Sequence, residues 1–162
     1  MKQYSAIYEG DWPFQHIVTS TEIVKWPRQL EKNDGFLILW GGEDISPSIY
    51  GETAGKHSYG PPVPSMRDRV EMALAQRALE LDMPIVGICR GAQLMCCLSG
   101  GKLIQHVHNH GSGHPMLTND GRCLHTTSLH HQMLYPWQLS RDQFELIAWA
   151  EGRSDVHLGP DN

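Results

Sequence analysis

The 162-residue sequence has no long apolar run. Its densest hydrophobic stretches, Phe36-Leu37-Ile38-Leu39-Trp40 and Ile85-Val86-Gly87-Ile88, fall far short of the ~20 apolar residues that span a bilayer, so no membrane partner is expected. Residues 1–9 carry none of the apolar core of a secretory signal, which points to the cytoplasm. A basic surplus is also missing: 13 Lys+Arg against 18 Asp+Glu give a net charge of −5, and no nucleic-acid partner is implied. The four cysteines, Cys89, Cys96, Cys97 and Cys123, form no C-x-x-C pair, and two are adjacent. A domain of this size needs no disulfide staples, so reduced thiols are expected. The sequence has no internal repeat, low-complexity tract or interdomain linker. With 40% hydrophobic residues it reads as one core-bearing domain over 1–162.

What is present alternates short apolar runs with helical stretches, the pattern of an α/β layered domain. Tyr4–Tyr8 and His16–Thr19 read as strands. Asn33-Asp34-Gly35 is a turn feeding Phe36–Trp40, apolar throughout as a parallel strand buried on both faces should be. Gly41-Gly42 ends that strand, and a proline- and glycine-marked loop runs to Pro64. Ser65-Met66-Arg67-Asp68 is a capping box opening a helix, with Val70, Ala73, Leu74, Ala78 and Leu81 as its apolar stripe. Its Glu and Arg content over 67–80 reads as a solvated face. Pro84 stops the helix, Ile85–Ile88 is a second doubly buried strand, and Ala92–Leu98 a short helix closed by Gly100-Gly101. Leu124–Ser128 and Phe144–Ala150 read as strands, and His106–Asp120 as polar loop.

Gly87-Ile88-Cys89-Arg90-Gly91 is a G-x-C-x-G between strand and helix, the cysteine version of a nucleophile elbow. Small residues at 87 and 91 permit the tight turn, which lifts the Cys89 thiol clear of the sheet. The positive helix end there favours a thiolate, the nucleophile that acyl transfer from an amide requires. A buried structural thiol is the plain alternative. An oxyanion needs two donors: the Arg90 N–H is one by elbow geometry. The Gly41-Gly42 turn is placed for the second if its strand neighbours Ile85–Ile88; otherwise it is only a tight turn.

Residues 39–52, LWGGEDISPSIYGE, resemble the G-G-x-D-x-x-P-x-x-Y-G-E signature of class I glutamine amidotransferase-like proteins, in the branch containing γ-glutamyl-γ-aminobutyrate hydrolases. Arg67-Asp68 is similar to the R-D at that branch's helix start. Residues 87–93 match its G-x-C-x-G-x-Q, and Ser128-Leu129-His130-His131-Gln132 resembles its N-S-x-H-H-Q, with Thr127 in place of Asn. The resemblance implies a flavodoxin-like, doubly wound, mostly parallel sheet and hydrolysis of the γ-glutamyl amide of glutamine or a related γ-glutamyl amine. Cys89 would form a glutamyl thioester; Gly42 and Arg90 would supply the oxyanion N–H groups; Gln93, Ser128 and His130 would contact the glutamyl moiety. It implies no cofactor and no metal, and it allows an ammonia-accepting synthase or ligase as partner. It implies no oligomeric state.

The family completes its triad with a His-x-Glu on a late strand, and this sequence contains none. His157, in Val156-His157-Leu158, lacks the glutamate and is given no catalytic role. The expectation is a further C-terminal portion carrying that pair. The alternative is a catalytically impaired relative that uses the pocket for binding or regulation. His106, His108, His110 and His114 have i, i+2, i+4 spacing suited to Zn²⁺ or Ni²⁺, but their glycine- and asparagine-rich surroundings favour exposed loop histidines. The five tryptophans lack basic interleaving and read as core or interface, not a nucleic-acid platform.

Overall fold

Phe36–Leu39 is buried at all four positions, and the molecule is organised around it. A computed structural model describes residues 1–8, 16–108 and 111–151, with the backbone of 156–157. The elements run β1 (Lys2–Ala6), β2 (Ser20–Val24), β3 (Phe36–Leu39), α1 (Met66–Glu80), β4 (Ile85–Gly87) and α2 (Arg90–Leu98). They continue with β5 (Lys102–Ile104), β6 (His106–Val107), β7 (His114–Thr118), β8 (Cys123–Thr126), β9 (Met133–Tyr135), β10 (Ala148–Ala150) and β11 (Val156–His157).

The main sheet has the order β2-β1-β3-β4 with every pair parallel, the flavodoxin-like order. Tyr4 faces Leu37 across β1–β3, and Leu39 faces Gly87 across β3–β4. Leu37 and Leu39 share the core with Leu74 and Ala78 of α1 and with Leu94 and Cys97 of α2; burying each leucine contributes ~1.5–3 kcal/mol. The later chain pairs antiparallel: β5 with β9, β6 with β11, and β7 with both β8 and β10. Among the described residues, no helix is long and apolar enough to cross a membrane.

Several elements differ from the sequence reading. The first strand sits earlier, at Lys2–Ala6, and ends where Ile7 takes a positive φ of 69°. The second is Ser20–Val24 rather than His16–Thr19. It is an edge strand whose Ser20 and Thr21 are exposed, so its polar start concealed it. β4 is half-buried, because β3 is its sole neighbour in the described sheet. The region 106–120 holds strands β6 and β7, and the late strands are shorter than expected, at Cys123–Thr126 and Ala148–Ala150.

The capping box forms as expected: Ser65 Oγ accepts from the Asp68 N–H at 3.0 Å, and the Asp68 carboxylate accepts from the Ser65 N–H at 2.8 Å. The buried face of α1, however, is Asp68, Glu71, Leu74, Ala75 and Ala78. Ala73 is exposed, and the first two turns bury charge. The 67–80 segment is therefore not simply a solvated face.

Candidate active site

Cys89 follows β4 and immediately precedes α2, with φ 52° and ψ −110°. That left-handed backbone is costly for any residue with a Cβ; it results from turning strand into helix within one residue. The flanking glycines are required by close approach. A Cβ at Gly87 would stand 2.5 Å from the Ala92 nitrogen, and one at Gly91 2.2 Å from the Leu39 carbonyl oxygen. The thiol projects outward and is exposed. Because β3 and β4 are neighbours, the turn after β3 lies beside it: a Cβ at Gly41 would be 3.9 Å from Cys89 Sγ.

That turn is clamped from below by Arg67. Its Nη2 donates to the carbonyls of Trp40 (3.0 Å) and Gly41 (2.9 Å), Nη1 to Glu43 Oε2 (2.8 Å), and Nε to Glu71 Oε1 (2.9 Å). Burial opposes ionisation of Glu43, but its own amide and the Arg67 and Arg90 cations hold its pKa below the usual carboxylate value. Glu71 also accepts from Arg90 Nη1, and Asp68 accepts from Arg90 Nη2. Asp68, Glu71 and Arg90 are all fully buried. One ionic chain therefore runs from the turn after β3, through the first two turns of α1, to the residue following Cys89.

A pocket of about 200 Å³ opens over the thiol, bordered by Gly42, Asp44, Cys89, Gln93, His130 and Gln132. Four of the expected residues, Gly42, Cys89, Gln93 and His130, thus meet at one place. Arg90 turns its side chain away into the ionic chain, leaving only its backbone beside the thiol. Ser128 is buried and does not line this pocket. Gln93 donates from Nε2 to the Gln132 carbonyl (3.2 Å), and His130 Nδ1 lies 2.8 Å from the same oxygen.

Sequence reasoning missed three contributors. Gln132 is buried, and neither polar atom of its side chain has a hydrogen-bond partner, an arrangement that costs ~1–3 kcal/mol per group unless a ligand satisfies it. Asp44 takes the Tyr59 N–H at 2.9 Å and stands 3.0 Å from His131 Nε2, while the Tyr59 ring meets His131 edge-on. Asp44, His131 and Gln132 all lie within the quoted motif segments, so the signal was present without a role attached to it.

A second cavity of about 370 Å³ shares His130 and His131 with the first and is walled by His106 and His108. The His106 ring stacks on His57 at 4.7 Å and meets His108 edge-on at 4.8 Å. Among the described residues, no three His, Cys, Asp or Glu side chains are grouped to hold a metal ion. His110 and the side chain of His157 lie outside the described residues.

The four thiols differ in environment: Cys89 and Cys123 are exposed, Cys96 is half-buried and Cys97 is buried. Burial pushes the Cys96 thiol up and the Cys97 thiol much further. Native alkylation read by peptide mass mapping is expected to modify Cys89 and Cys123 first and to spare Cys97 until the protein unfolds.

A model of the Peptidase C26 family matches residues 12–151. The chain is similar to the glutamine amidotransferase-like protein YvdE homolog of Lactococcus lactis subsp. cremoris, 44% identical over 71 residues, covering 44% of this chain and 37% of that protein. It is similar to the carbamoyl phosphate synthase small chain of Yersinia pseudotuberculosis, 37% identical over 75 residues, covering 46% of this chain and 19% of that one. The matched region is thus well under half the length of these curated relatives. The solved structure described as SMU.1228c superposes with a TM-score of 0.59 at 21% identity, over 99% of this chain and 73% of its own, a likeness of fold.

Proposed function

Because the chain belongs to the Peptidase C26 family, we propose that its pocket cleaves the γ-glutamyl amide bond of glutamine or a related γ-glutamyl amine. The observation that carries this reading is the exposed Cys89 thiol on a left-handed elbow, opening into a pocket bordered by Gly42, Gln93 and Gln132. The Cys89 sulfur attacks the side-chain carbonyl carbon, and the resulting oxyanion is held by the N–H groups of Gly42 and Arg90. Collapse breaks the C–N bond and expels the amine, which takes its proton from water, and leaves a glutamyl thioester; a second water then cleaves the C–S bond to give the glutamyl carboxylate and return the Cys89 sulfur. The unsatisfied amide of Gln132 and the Gln93 side chain recognise the glutamyl end, with His130 on the same wall; Ser128, buried outside the pocket lining, is assigned no contact with it. The neighbouring cavity of about 370 Å³ between His106 and His108 gives the leaving amine room for more than ammonia, and this favours the γ-glutamyl-γ-aminobutyrate hydrolase branch.

The compartment proposed is the cytoplasm, as one domain of glutamine amidotransferase type over 1–162. Where ammonia is the product, an ammonia-accepting synthase or ligase is the proposed partner, supported by the similarity to a carbamoyl phosphate synthase small chain. A second reading is a binding or regulatory module that uses the same pocket without turnover. Incubation with the chloroketone analogue of glutamine should add one analogue mass to Cys89. An unlabelled Cys89 beside a labelled Cys123 would refute the nucleophile. Labelling without release of the amine from either glutamine or γ-glutamyl-γ-aminobutyrate would favour the binding module.

A further inference from the structure

We infer that Arg67 is a positioning residue that sets the oxyanion-binding N–H of Gly42; this rests on the γ-glutamyl hydrolase reading above. A single guanidinium nitrogen, Nη2, holds two successive carbonyls, those of Trp40 and Gly41, at 3.0 and 2.9 Å. In a trans peptide the C=O and the following N–H point in opposite directions. Fixing the Gly41 oxygen on Arg67 therefore turns the Gly42 N–H away from the guanidinium, where Gly42 borders the same pocket as Cys89. A cation on the carbonyl side also polarises that peptide and strengthens its N–H as a donor.

Three further observations show that the clamp is built for this turn. Gly42 has φ 147°, and a Cβ there would stand 2.3 Å from Arg67 Nη1, so no side chain fits while the clamp is closed. The Arg67 side chain is only 9% exposed; Glu43 and Glu71 take its Nη1 and Nε edges, and the guanidinium carbon lies 4.7 Å from the centre of the Tyr8 ring. Glu71 also binds Arg90, whose backbone N–H is the other proposed donor. The two walls of the oxyanion site, one in the turn after β3 and one at the start of α2, are thereby tied to one carboxylate. Lysine has the charge but not the fork, and it cannot hold both carbonyls and both carboxylates at once.

Two alkylating agents separate this role from simple support of the fold. Iodoacetamide reacts with Cys89 by direct displacement of iodide and develops no oxyanion. The glutamine chloroketone is attacked at its carbonyl, giving a hemithioketal alkoxide on the N–H donors, and the sulfur then displaces chloride to leave a thioether. In Arg67→Lys, and independently in Arg67→Gln, the maximal rate of chloroketone inactivation is expected to fall ~10²-fold. The half-saturating concentration and the iodoacetamide rate should stay within about twofold. Equal losses with both reagents, or no loss with either in a variant with a native unfolding transition, would overturn the inference and leave the hydrolase reading standing. If the unmodified protein takes iodoacetamide but never the chloroketone at Cys89, the hydrolase reading itself fails and takes the inference with it. Should Arg67→Gln not fold, Arg67→Lys, which retains the buried charge, decides.

Discussion

Cys89→Gly is expected to raise the midpoint of thermal unfolding while abolishing the chloroketone adduct at this position. The two effects share one cause. At φ 52° and ψ −110° a Cβ is badly accommodated, and holding an L-residue there costs ~1–3 kcal/mol. Glycine reaches the same backbone freely, at a cost of ~0.5–1 kcal/mol in the entropy of the unfolded chain. The Cys89 side chain is exposed, so little burial is lost by deleting it. The net gain is about 1 kcal/mol, or roughly 2–4 °C for a domain of this size. Loss of the nucleophile removes acylation outright, on the order of 10⁶-fold where the thiol is the attacking group. Paired calorimetry and inactivation kinetics on Cys89→Gly and Cys89→Ser check both halves. Serine keeps the Cβ, so Cys89→Ser should lose the adduct without gaining stability. If both variants unfold at the parental temperature, the elbow stores no strain.

The strain at Cys89 could be read in the sequence because it is written locally. Two glycines placed around one cysteine, between an apolar run and a helix, leave few geometries for the chain. The same is true of the Ser65–Asp68 capping box and of β3, whose four consecutive apolar residues suit only a doubly buried strand. β2 escaped because Ser20 and Thr21 face water at a sheet edge and give no apolar signal. β5, β6 and β9 are two or three residues each, and they exist because of partners distant in sequence, such as Leu103 opposite Leu134. No local window contains that information. The ionic chain was hidden for a different reason. Arg67, Asp68 and Glu71 are ordinary charged residues on a helix, and only their distant partners make them interior: Arg90, and the carbonyls of Trp40 and Gly41. The quoted R-D pair marked the place. What it lacked was the second cation directly after the nucleophile, whose side chain a nucleophile elbow leaves free to turn inward.

That inward turn makes Arg90 the most consequential side chain for stability. Arg90→Met is expected to destabilise the protein by ~3–5 kcal/mol, because it leaves the Asp68 and Glu71 carboxylates in the interior without their main cation. Both are fully buried, and Arg67 reaches only one of them, Glu71. Water cannot enter to compensate without opening the contact between α1 and the turn after β3. Stranded charge has a consequence that lost packing does not: neutralising the carboxylates should recover part of the cost. The triple variant Arg90→Met/Asp68→Asn/Glu71→Gln is then expected to be more stable than Arg90→Met alone, although it carries more substitutions. The amide introduced by Asp68→Asn retains an oxygen for the Ser65 N–H, which Asp68 now accepts at 2.8 Å, so the helix cap is kept. The amide introduced by Glu71→Gln likewise retains an oxygen for Arg67 Nε. Urea unfolding of the two variants measures the difference directly. A triple variant less stable than Arg90→Met would mean that the guanidinium serves mainly as a space-filling group, and that the chain joining the two oxyanion walls is held by shape and not by charge.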